Sequence, residues 1–130
     1  MADKKYLIDT NIAIDYLGEK LPENGLTFMD DIIDKGYCIS IINKIELFSY
    51  SKLTNDDISA LTIFVDNSSV LNIGNEIVDK TIDVRKTHSI KLPDAIIAAT
   101  AIVNDLVLIT RNTKDFKNVQ NLNLVDLYSL

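Results

Sequence analysis

The sequence predicts an α/β fold with a central parallel sheet, and two observations support that prediction. Short continuous apolar segments recur along the chain, as in strands that are buried on both faces. Helical patterns separate these segments, and this alternation is typical of a parallel sheet covered by helices. We therefore expect one domain over residues 1–130, with about four to five strands flanked by helices.

The predicted elements follow in chain order. Strands are expected at residues 6–8, 37–40, 70–73 and 106–110, with a fifth in the segment LNLVDL near the end. Helices are expected at residues 11–17, 23–35, 41–50, 56–65 and 76–86, and in the apolar segment PDAIIAATAIV from Pro93. Gly36 is the expected C-terminal stop of the second helix, and Thr54 is a candidate N-cap of the fourth.

Composition narrows the functional classes. The chain has 130 residues, of which 47% are hydrophobic, and a formal net charge of −6. An acidic chain argues against broad attraction to nucleic acid, although basic residues gather from Lys80 onward, where solvated helix faces are the simplest interpretation. No apolar stretch approaches the roughly 20 residues that span a bilayer, and the start does not fit a signal peptide. We expect a cytoplasmic protein with no membrane partner.

Four acids are expected to meet at one edge of the sheet. Asp9 follows the first predicted strand, and Glu46 lies on the helix after the second. Asp94 is in the first turn of the most apolar helix, and Asp115 follows the strand that ends near residue 110. Ligands of open parallel sheets bind beyond the carboxyl ends of the strands, so these residues are candidates for one shared site.

Each acid also has a local explanation. Asp9 could be a helix N-cap, and Glu46 could reach solvent at a helix edge. The helix dipole alone would favour Asp94 by roughly 0.3–1 kcal/mol. Asp115 could form a capping-box-like pair with Asn112. The joint placement of all four favours a shared site over these separate explanations.

A cluster of carboxylates needs extra protons or a cation. Two charges 4 Å apart repel by about 4 kcal/mol at an effective dielectric constant near 20. Oxygen ligands suit Mg²⁺ or Mn²⁺, whereas the lone His88 and lone Cys38 cannot assemble a structural zinc site. A carboxylate-bound Mg²⁺ supplies what phosphodiester cleavage needs, an activated water and neutralisation of phosphate charge.

Four segments carry a resemblance to a known family. They are LIDTNIAIDYL, SIINKIELF, KLPDAIIAATAI and LITRNTKDF, and together they extend from Tyr6 to Phe116. They resemble the signature segments of PIN-domain ribonucleases, and most of all those of the VapC-type toxins of bacterial toxin–antitoxin pairs. The resemblance implies a single PIN-like domain that acts as a Mg²⁺- or Mn²⁺-dependent endoribonuclease.

The resemblance also implies roles for individual residues. By position, Asp9, Glu46 and Asp94 would be the first three acids, which bind metal and orient the attacking water. Asp115 matches the fourth acid, although some members of the family place an acid where Asn112 stands. Supporting roles would fall to Asn11, Thr110 and Asn112. Asn43 stands where the family often has Thr, which would alter hydrogen bonding around the ligands but not the ligands themselves.

Partners and alternatives follow from the same resemblance. It implies an RNA substrate, a homodimer and a small antitoxin protein, although a housekeeping RNA-processing nuclease could carry the same four acids. A second functional class is a PIN fold that binds RNA or protein without cutting, and the presence of all four acids argues against it. Haloacid-dehalogenase-type phosphatases need a second Asp where Asn11 stands. Response-regulator receivers need an acidic pair near the first strand and a Lys after the last core strand, and this chain has neither at those positions. The phosphatase and the receiver therefore both fit poorly.

Overall fold

The computed structural model describes residues 5–130, and within them it contains a sheet of five parallel strands. The strands are β1 (Tyr6–Ile8), β2 (Cys38–Ser40), β3 (Ser69–Leu71), β4 (Val107–Ile109) and β5 (Asn123–Val125). Their order across the sheet is β3-β2-β1-β4-β5, which places β1 at the centre. The α/β class and the parallel sheet predicted from the sequence are confirmed.

Helices connect the strands. They are α1 (Thr10–Leu17), α2 (Glu23–Lys35), α3 (Ile41–Phe48), α4 (Asn55–Asp66), α5 (Asn75–Thr87), α6 (Leu92–Val103) and α7 (Thr113–Phe116), followed by a 3-10 turn (Leu127–Ser129). Gly36 ends α2 with a φ of 112°, a left-handed conformation that favours glycine. Thr54 caps α4 through a capping box, as its position predicted.

Most predicted boundaries differ from the structure by one or two residues, and α7 was not predicted; three of the differences show local reasons. Helix α1 begins one residue earlier than expected because Asp9 caps it directly after the strand. Helix α6 begins at Leu92, so Pro93 occupies its first turn rather than its first residue. Strand β3 is offset by one to two residues from the predicted segment, since its paired residues with β2 are Ser69 to Leu71. None of the helices described over residues 5–130 is long and apolar enough to cross a membrane.

The core lies on both faces of the sheet. Leu7 and Ile8 of β1 are both fully buried but belong to different hydrophobic clusters. The same holds for Leu108 and Ile109 of β4. Because successive side chains of a strand point to opposite faces, each strand contributes to both layers. This explains why the strands are continuous apolar runs.

Connections between elements bring the predicted acids to one edge. Helices α1 and α3 follow β1 and β2 with almost no loop, so their first turns lie at the carboxyl end of the sheet. Helix α6 leads into β4 and therefore starts at that same edge. The backbone N–H of Asp9 donates to the carbonyl of Ile109 at 2.9 Å, which ties the ends of β1 and β4 together.

Candidate active site

Asp9 is the most enclosed of the four predicted acids, with 6% of its surface exposed. Its Oδ1 accepts from the backbone N–H of Thr10 at 2.9 Å, so Asp9 does cap α1. Its Oδ2 accepts from the hydroxyl of Thr110 at 2.8 Å. Burial raises the pKa of the Asp9 carboxyl, and these hydrogen bonds partly oppose that shift. Capping and a place in the acid cluster are thus compatible for Asp9.

Thr10 links the end of β1 to α3. Its hydroxyl donates to Oε1 of Glu46 at 2.8 Å and accepts from Nδ2 of Asn43 at 3.0 Å. The same amide lies 3.4 Å from Oδ1 of Asp9. Glu46 is half-buried and is oriented by this hydroxyl instead of extending freely into solvent. The hydrogen bonds join two of the predicted acids, Asp9 and Glu46, through polar side chains that have no net charge.

Asn43 serves the helix and the site together. It is fully buried, and its Oδ1 accepts from the backbone N–H of Ser40 at 2.9 Å. The hydroxyl of Ser40 in turn accepts from the N–H of Asn43 at 3.2 Å, which completes a capping box for α3. With its oxygen engaged by the cap, the amide nitrogen faces Thr10 and Asp9. The linking role of Thr10 and the cap made by Asn43 were missed from the sequence, although Ser-x-x-Asn after a strand is a signal that could have indicated the capping box.

The segment after β4 brings in the fourth acid. Thr110 is fully buried, and its Oγ1 accepts from the N–H of Asn112 at 3.0 Å while donating to Asp9. The side chain of Asn112 donates to Oδ2 of Asp115 at 2.8 Å. Asn112 precedes α7 but does not cap it with its side chain, so the capping-box explanation of Asp115 is wrong. Asp115 itself is exposed.

The negative charges of the other three acids act on the pKa of Asp94. Its pKa is raised from 3.8 to about 6, first by burial and then by the negative charges of Asp9, Asp115 and Glu46. The positive charge of Lys91 opposes the shift in part. The pKa of one half-buried carboxyl thus responds to three others that lie far from it along the chain. The four acids therefore share one local electrostatic field.

The four acids have the donor atoms that a hard metal ion needs, but their present arrangement is not a metal centre. The four carboxylates offer only hard oxygen donors, which suits Mg²⁺ or Mn²⁺. Yet within residues 5–130 no three His, Cys, Asp or Glu side chains are arranged as a ready metal centre. The residues therefore fit a hard cation by chemical type, and holding one would require the side chains to draw closer together. The raised pKa of Asp94 indicates that such a cation would relieve repulsion.

The predicted supporting role of Asn11 stays a prediction. In the part of the chain that the structure describes, the side chain of Asp9 accepts hydrogen bonds from Thr10, Asn43 and Thr110, and Asn11 is not among its partners. Asn11 lines a groove of about 610 Å³ beside α1, α3 and α4. The apolar side chains of that groove include Ile14, Leu17, Leu47, Leu53 and Leu61. None of the four predicted acids lines this groove.

A buried acid that the sequence reasoning missed lies at the edge of this groove. Asp15 is 6% exposed, and its Oδ2 accepts from a guanidinium nitrogen of Arg111 at 3.0 Å and from the hydroxyl of Tyr128. Asp15 lies three residues after the buried Ile12, on the inward face of α1. An acid on the buried face of a helix, with no basic residue at helical spacing, is the signal that could have indicated this partner across the fold.

The family follows from comparison with known proteins. The sequence profile of the PIN domain matches residues 6–122. The chain belongs to the PIN domain family. No curated protein matches the chain.

Solved structures match this PIN domain over nearly its whole length. A chain of a toxin–antitoxin complex from Klebsiella pneumoniae is 30% identical with a TM-score of 0.77, and the alignment covers 95% of this chain and 98% of that one. A chain of VapBC-1 from nontypeable Haemophilus influenzae is 26% identical with a TM-score of 0.78, covering 94% and 97%. A chain of DNA-bound VapBC from Salmonella typhimurium shares the fold at 22% identity and a TM-score of 0.80, covering 96% and 99%. The predicted resemblance to VapC-type PIN domains is confirmed.

Proposed function

We propose that this PIN domain is a Mg²⁺- or Mn²⁺-dependent endoribonuclease that hydrolyses RNA phosphodiester bonds. One observation supports the proposal above others: the pKa of Asp94 is raised to about 6 in part by Asp9, Asp115 and Glu46. Carboxylates that repel one another carry a folding cost, and such arrangements are characteristic of functional sites. A cation is the natural partner of this cluster.

In this proposal the acids bind the cation, and neighbouring hydrogen-bond donors orient them. Asp9, Glu46, Asp94 and Asp115 would hold the cation. When bound, Mg²⁺ or Mn²⁺ supplies an activated water and neutralises charge that develops on the phosphate. Donors on Thr10, Thr110 and Asn43 keep Asp9 in one orientation and favour its ionised form.

The remaining hydrogen bonds orient the other acids. The hydroxyl of Thr10 aims Glu46, and the amide of Asn112 aims Asp115. Asp94 accepts no hydrogen bond from residues 5–130, so its carboxylate is the one most free to rotate towards a cation. We assign Asp94 the part of the adjustable ligand. Before a cation binds, its carboxyl retains a proton at mildly acidic pH because of its raised pKa.

We further propose that the protein is the toxin of a toxin–antitoxin pair and acts in the cytoplasm, where RNA is available. Of the three solved structures compared above, two are named as VapBC and one as a toxin–antitoxin complex. The apolar groove beside Asn11 and Asp15 offers a surface for a partner segment. Co-expression with the product of a small adjacent gene, followed by co-purification, tests this assignment. A housekeeping nuclease would be recovered without such a partner.

A homodimer is part of the same proposal. Helix α5 exposes Val78 and Ile82, which are four residues apart and therefore lie on one face of the helix. Ile73, just before that helix, is exposed as well. Exposed apolar side chains that lie together are typical of interaction surfaces. Sedimentation at increasing concentration should give the mass of two chains, and Ile82→Glu should shift the protein to the mass of one.

A binding module without catalysis is the second candidate. The observation in its favour is that the described acids do not form a ready metal centre. In that case RNA or protein would bind near the same edge, and the acids would take no cation. A metal titration distinguishes the two functions without knowledge of the natural RNA.

The test follows thermal unfolding during Mn²⁺ and Mg²⁺ titrations. At about 100 times its dissociation constant, a bound cation stabilises the fold by roughly 2.7 kcal/mol, which is several degrees for a domain of this size. Wild type should respond to the cation, and Asp94→Asn should not. Asp79→Asn, which removes an equal charge from an exposed position of α5, should respond like wild type. Equal absence of response in all three proteins would favour the binding module.

Cleavage is then measured on total RNA with Mn²⁺ present. Asp9→Asn should lose more activity than the about 100-fold that loss of an outer partner can cause. Asp79→Asn should cut like wild type, and a chelator should stop both. Cleavage that persists in Asp9→Asn would contradict the proposed roles.

A further inference from the structure

A second cavity is bordered by Asp115, whereas Asp9, Glu46 and Asp94 do not line it. It has a volume of about 560 Å³. It lies between three parts of the chain: the end of α5, the loop that leads from α5 to α6, and helix α7. Its lining residues are Arg85, Ser89, Ile90, Lys91, Leu92 and Asp115. The cavity is thus bordered by two basic side chains and one hydroxyl, and it shares a wall with the candidate active site.

The basic side chains of this cavity are available to a ligand. Within residues 5–130, neither Arg85 nor Lys91 takes part in an ion pair. Both are exposed, as is Ser89, whose hydroxyl can donate a hydrogen bond. In a chain with a formal net charge of −6, the lining of this cavity is net positive, because Arg85 and Lys91 outweigh Asp115. They offer the charge and the donors that a phosphate group needs.

The start of α6 adds to this local field. Lys91 is the N-cap residue of α6, and no side chain caps this end of the helix. Helix N-termini carry a partial positive charge that favours bound anions. The helix is 12 residues long, so its dipole is well developed. This contribution supports the two basic side chains and does not replace them.

Position relates the cavity to the acids. Asp115 lines the cavity, and it also acts on the pKa of Asp94. Lys91 acts on Asp94 as well, with the opposite sign. A polyanion whose backbone reaches the acids can therefore continue directly into the cavity. A single strand has successive phosphates to fill both places, whereas a free phosphate fills only one.

We propose that the cavity at Arg85, Ser89 and Lys91 binds a backbone phosphate of a single RNA strand adjacent to the phosphate that is cut. This inference rests on the proposed ribonuclease function and adds the path of the strand, from the acid cluster past Asp115 to the start of α6. Arg85 and Lys91 bind the phosphate, and they do not take part in the chemical step. They determine how tightly RNA is held and which stretch of strand reaches the acids.

The test measures binding of a fluorescein-labelled single-stranded RNA of random sequence, with Mn²⁺ present, to variants built in the non-cleaving Asp9→Asn protein. Each basic contact to a single-strand phosphate contributes about 0.7 to the slope of log affinity against log salt. Removing two contacts with Arg85→Gln and Lys91→Gln should lower that slope by about 1.4 and weaken binding roughly 10- to 30-fold at 0.1 M salt. A matched control, Lys20→Gln with Lys86→Gln, removes the same charge from exposed positions outside the cavity.

Substrate length gives a second readout in the cleaving protein. With a long RNA, the Arg85→Gln and Lys91→Gln changes together should raise KM and leave kcat nearly unchanged. With a dinucleotide, which has no adjacent phosphate, Arg85→Gln alone should have no effect on kcat/KM, since Lys91 also acts on Asp94. Thermal titration should show that Mn²⁺ binds the double variant at least as tightly as wild type, because a cation next to Asp94 has been removed.

The outcomes separate this inference from the proposed function. If wild type cuts RNA and the cavity variant binds RNA like the control variant, the phosphate site is wrong and the ribonuclease stands. The phosphate site is equally wrong if Arg85→Gln affects cleavage of the dinucleotide as much as cleavage of the long RNA. If wild type neither cuts nor binds RNA, both the function and the phosphate site are wrong. A selective loss with long RNA supports the path of the strand past Asp115.

Discussion

At the scale of single residues, Asp94 makes stability depend on pH. Its pKa is about 6 in the folded protein, against 3.8 as the ordinary value. Between these two pH values the folded protein binds more protons than the unfolded chain, so stability falls as the pH rises through that window. Above about pH 6 the penalty is complete. Because Asp94 is only half-buried, solvent screening reduces it to about 1–2 kcal/mol.

Asp94→Asn should remove this penalty in metal-free protein. At pH 8 in the presence of a chelator, the variant should be more stable than wild type by about 1–2 kcal/mol, and below pH 4 the difference should vanish. Thermal unfolding at a series of pH values measures the difference. Asp79→Asn should follow wild type throughout. A variant no more stable than wild type at pH 8 would mean that the carboxylates do not repel one another at this edge.

Thr110 is a second residue whose hydroxyl can be tested. It donates to Asp9 and accepts from the N–H of Asn112, and both contacts disappear in Thr110→Val. Because buried polar groups then lose partners, the free energy of unfolding should fall by about 1–3 kcal/mol. Thr110→Ser keeps the hydroxyl and should lose far less. Urea unfolding at pH 7 makes the comparison, and a Thr110→Val protein as stable as wild type would show that the hydroxyl contributes nothing to stability.

At the scale of elements, the first turn of α3 combines helix capping with the position of the site. Ser40 and Asn43 form its capping box. Thr54 and Asp57 form the capping box of α4, and there each of the two side chains hydrogen-bonds only to the other residue. Asn43→Ala and Thr54→Ala should each cost about 0.5–2 kcal/mol in unfolding free energy.

Only the first variant should change the site. The amide of Asn43 also reaches Thr10 and Asp9, so Asn43→Ala should weaken the affinity for Mn²⁺ by about 10- to 100-fold. Thr54→Ala should leave it unchanged. Thermal unfolding without metal and metal titration by calorimetry give the two quantities separately. A parallel loss of metal affinity in both variants would show that general destabilisation is the cause.

Elements were the more predictable level of this molecule. The strands are short apolar runs and the helices have local stop and start signals, so the order of elements and the parallel sheet follow from local patterns. Boundaries depended on finer contacts, as when Asp9 caps α1 immediately after β1. The acids were predictable as candidates because each lies after a strand or at the start of a helix. Their hydrogen-bond partners were less so, since Thr10 reaches Glu46 across 36 positions of the chain.

At the scale of the whole molecule, polar contacts between distant parts of the chain hold its C-terminal segment in place. These contacts were not predicted from the sequence. Asp15 and Tyr128 are 113 positions apart, and no local pattern relates them. The C-terminal 3-10 turn also packs on α2, where the backbone of Leu127 would lie 3.0 Å from a Cβ placed on Gly25. The end of the chain is therefore fastened to α1 by a polar network and to α2 by close packing.

The ion pair of Asp15 with Arg111 tests how much this closure contributes. Asp15 is buried, whereas half of the Arg111 side chain is exposed, so removing the arginine leaves a buried carboxylate held by Tyr128 alone. Arg111→Met should therefore lower the free energy of unfolding by about 1–3 kcal/mol. Lys114→Met, a matched change at an exposed residue of α7 without an ion pair among residues 5–130, should stay within about 0.5 kcal/mol of wild type.

A double-mutant cycle with Asp15→Asn isolates the contact itself. If the pair acts as a unit, Arg111→Met should cost clearly less in the Asp15→Asn background than in wild type, with a coupling of about 0.5–3 kcal/mol. Urea unfolding of the four proteins at pH 7 measures it. Because Arg111 lies between Thr110 and Asn112, the same variants should be titrated with Mn²⁺. Strict additivity in stability would mean that Asp15 and Arg111 contribute independently, and that their ion pair does not stabilise the fold.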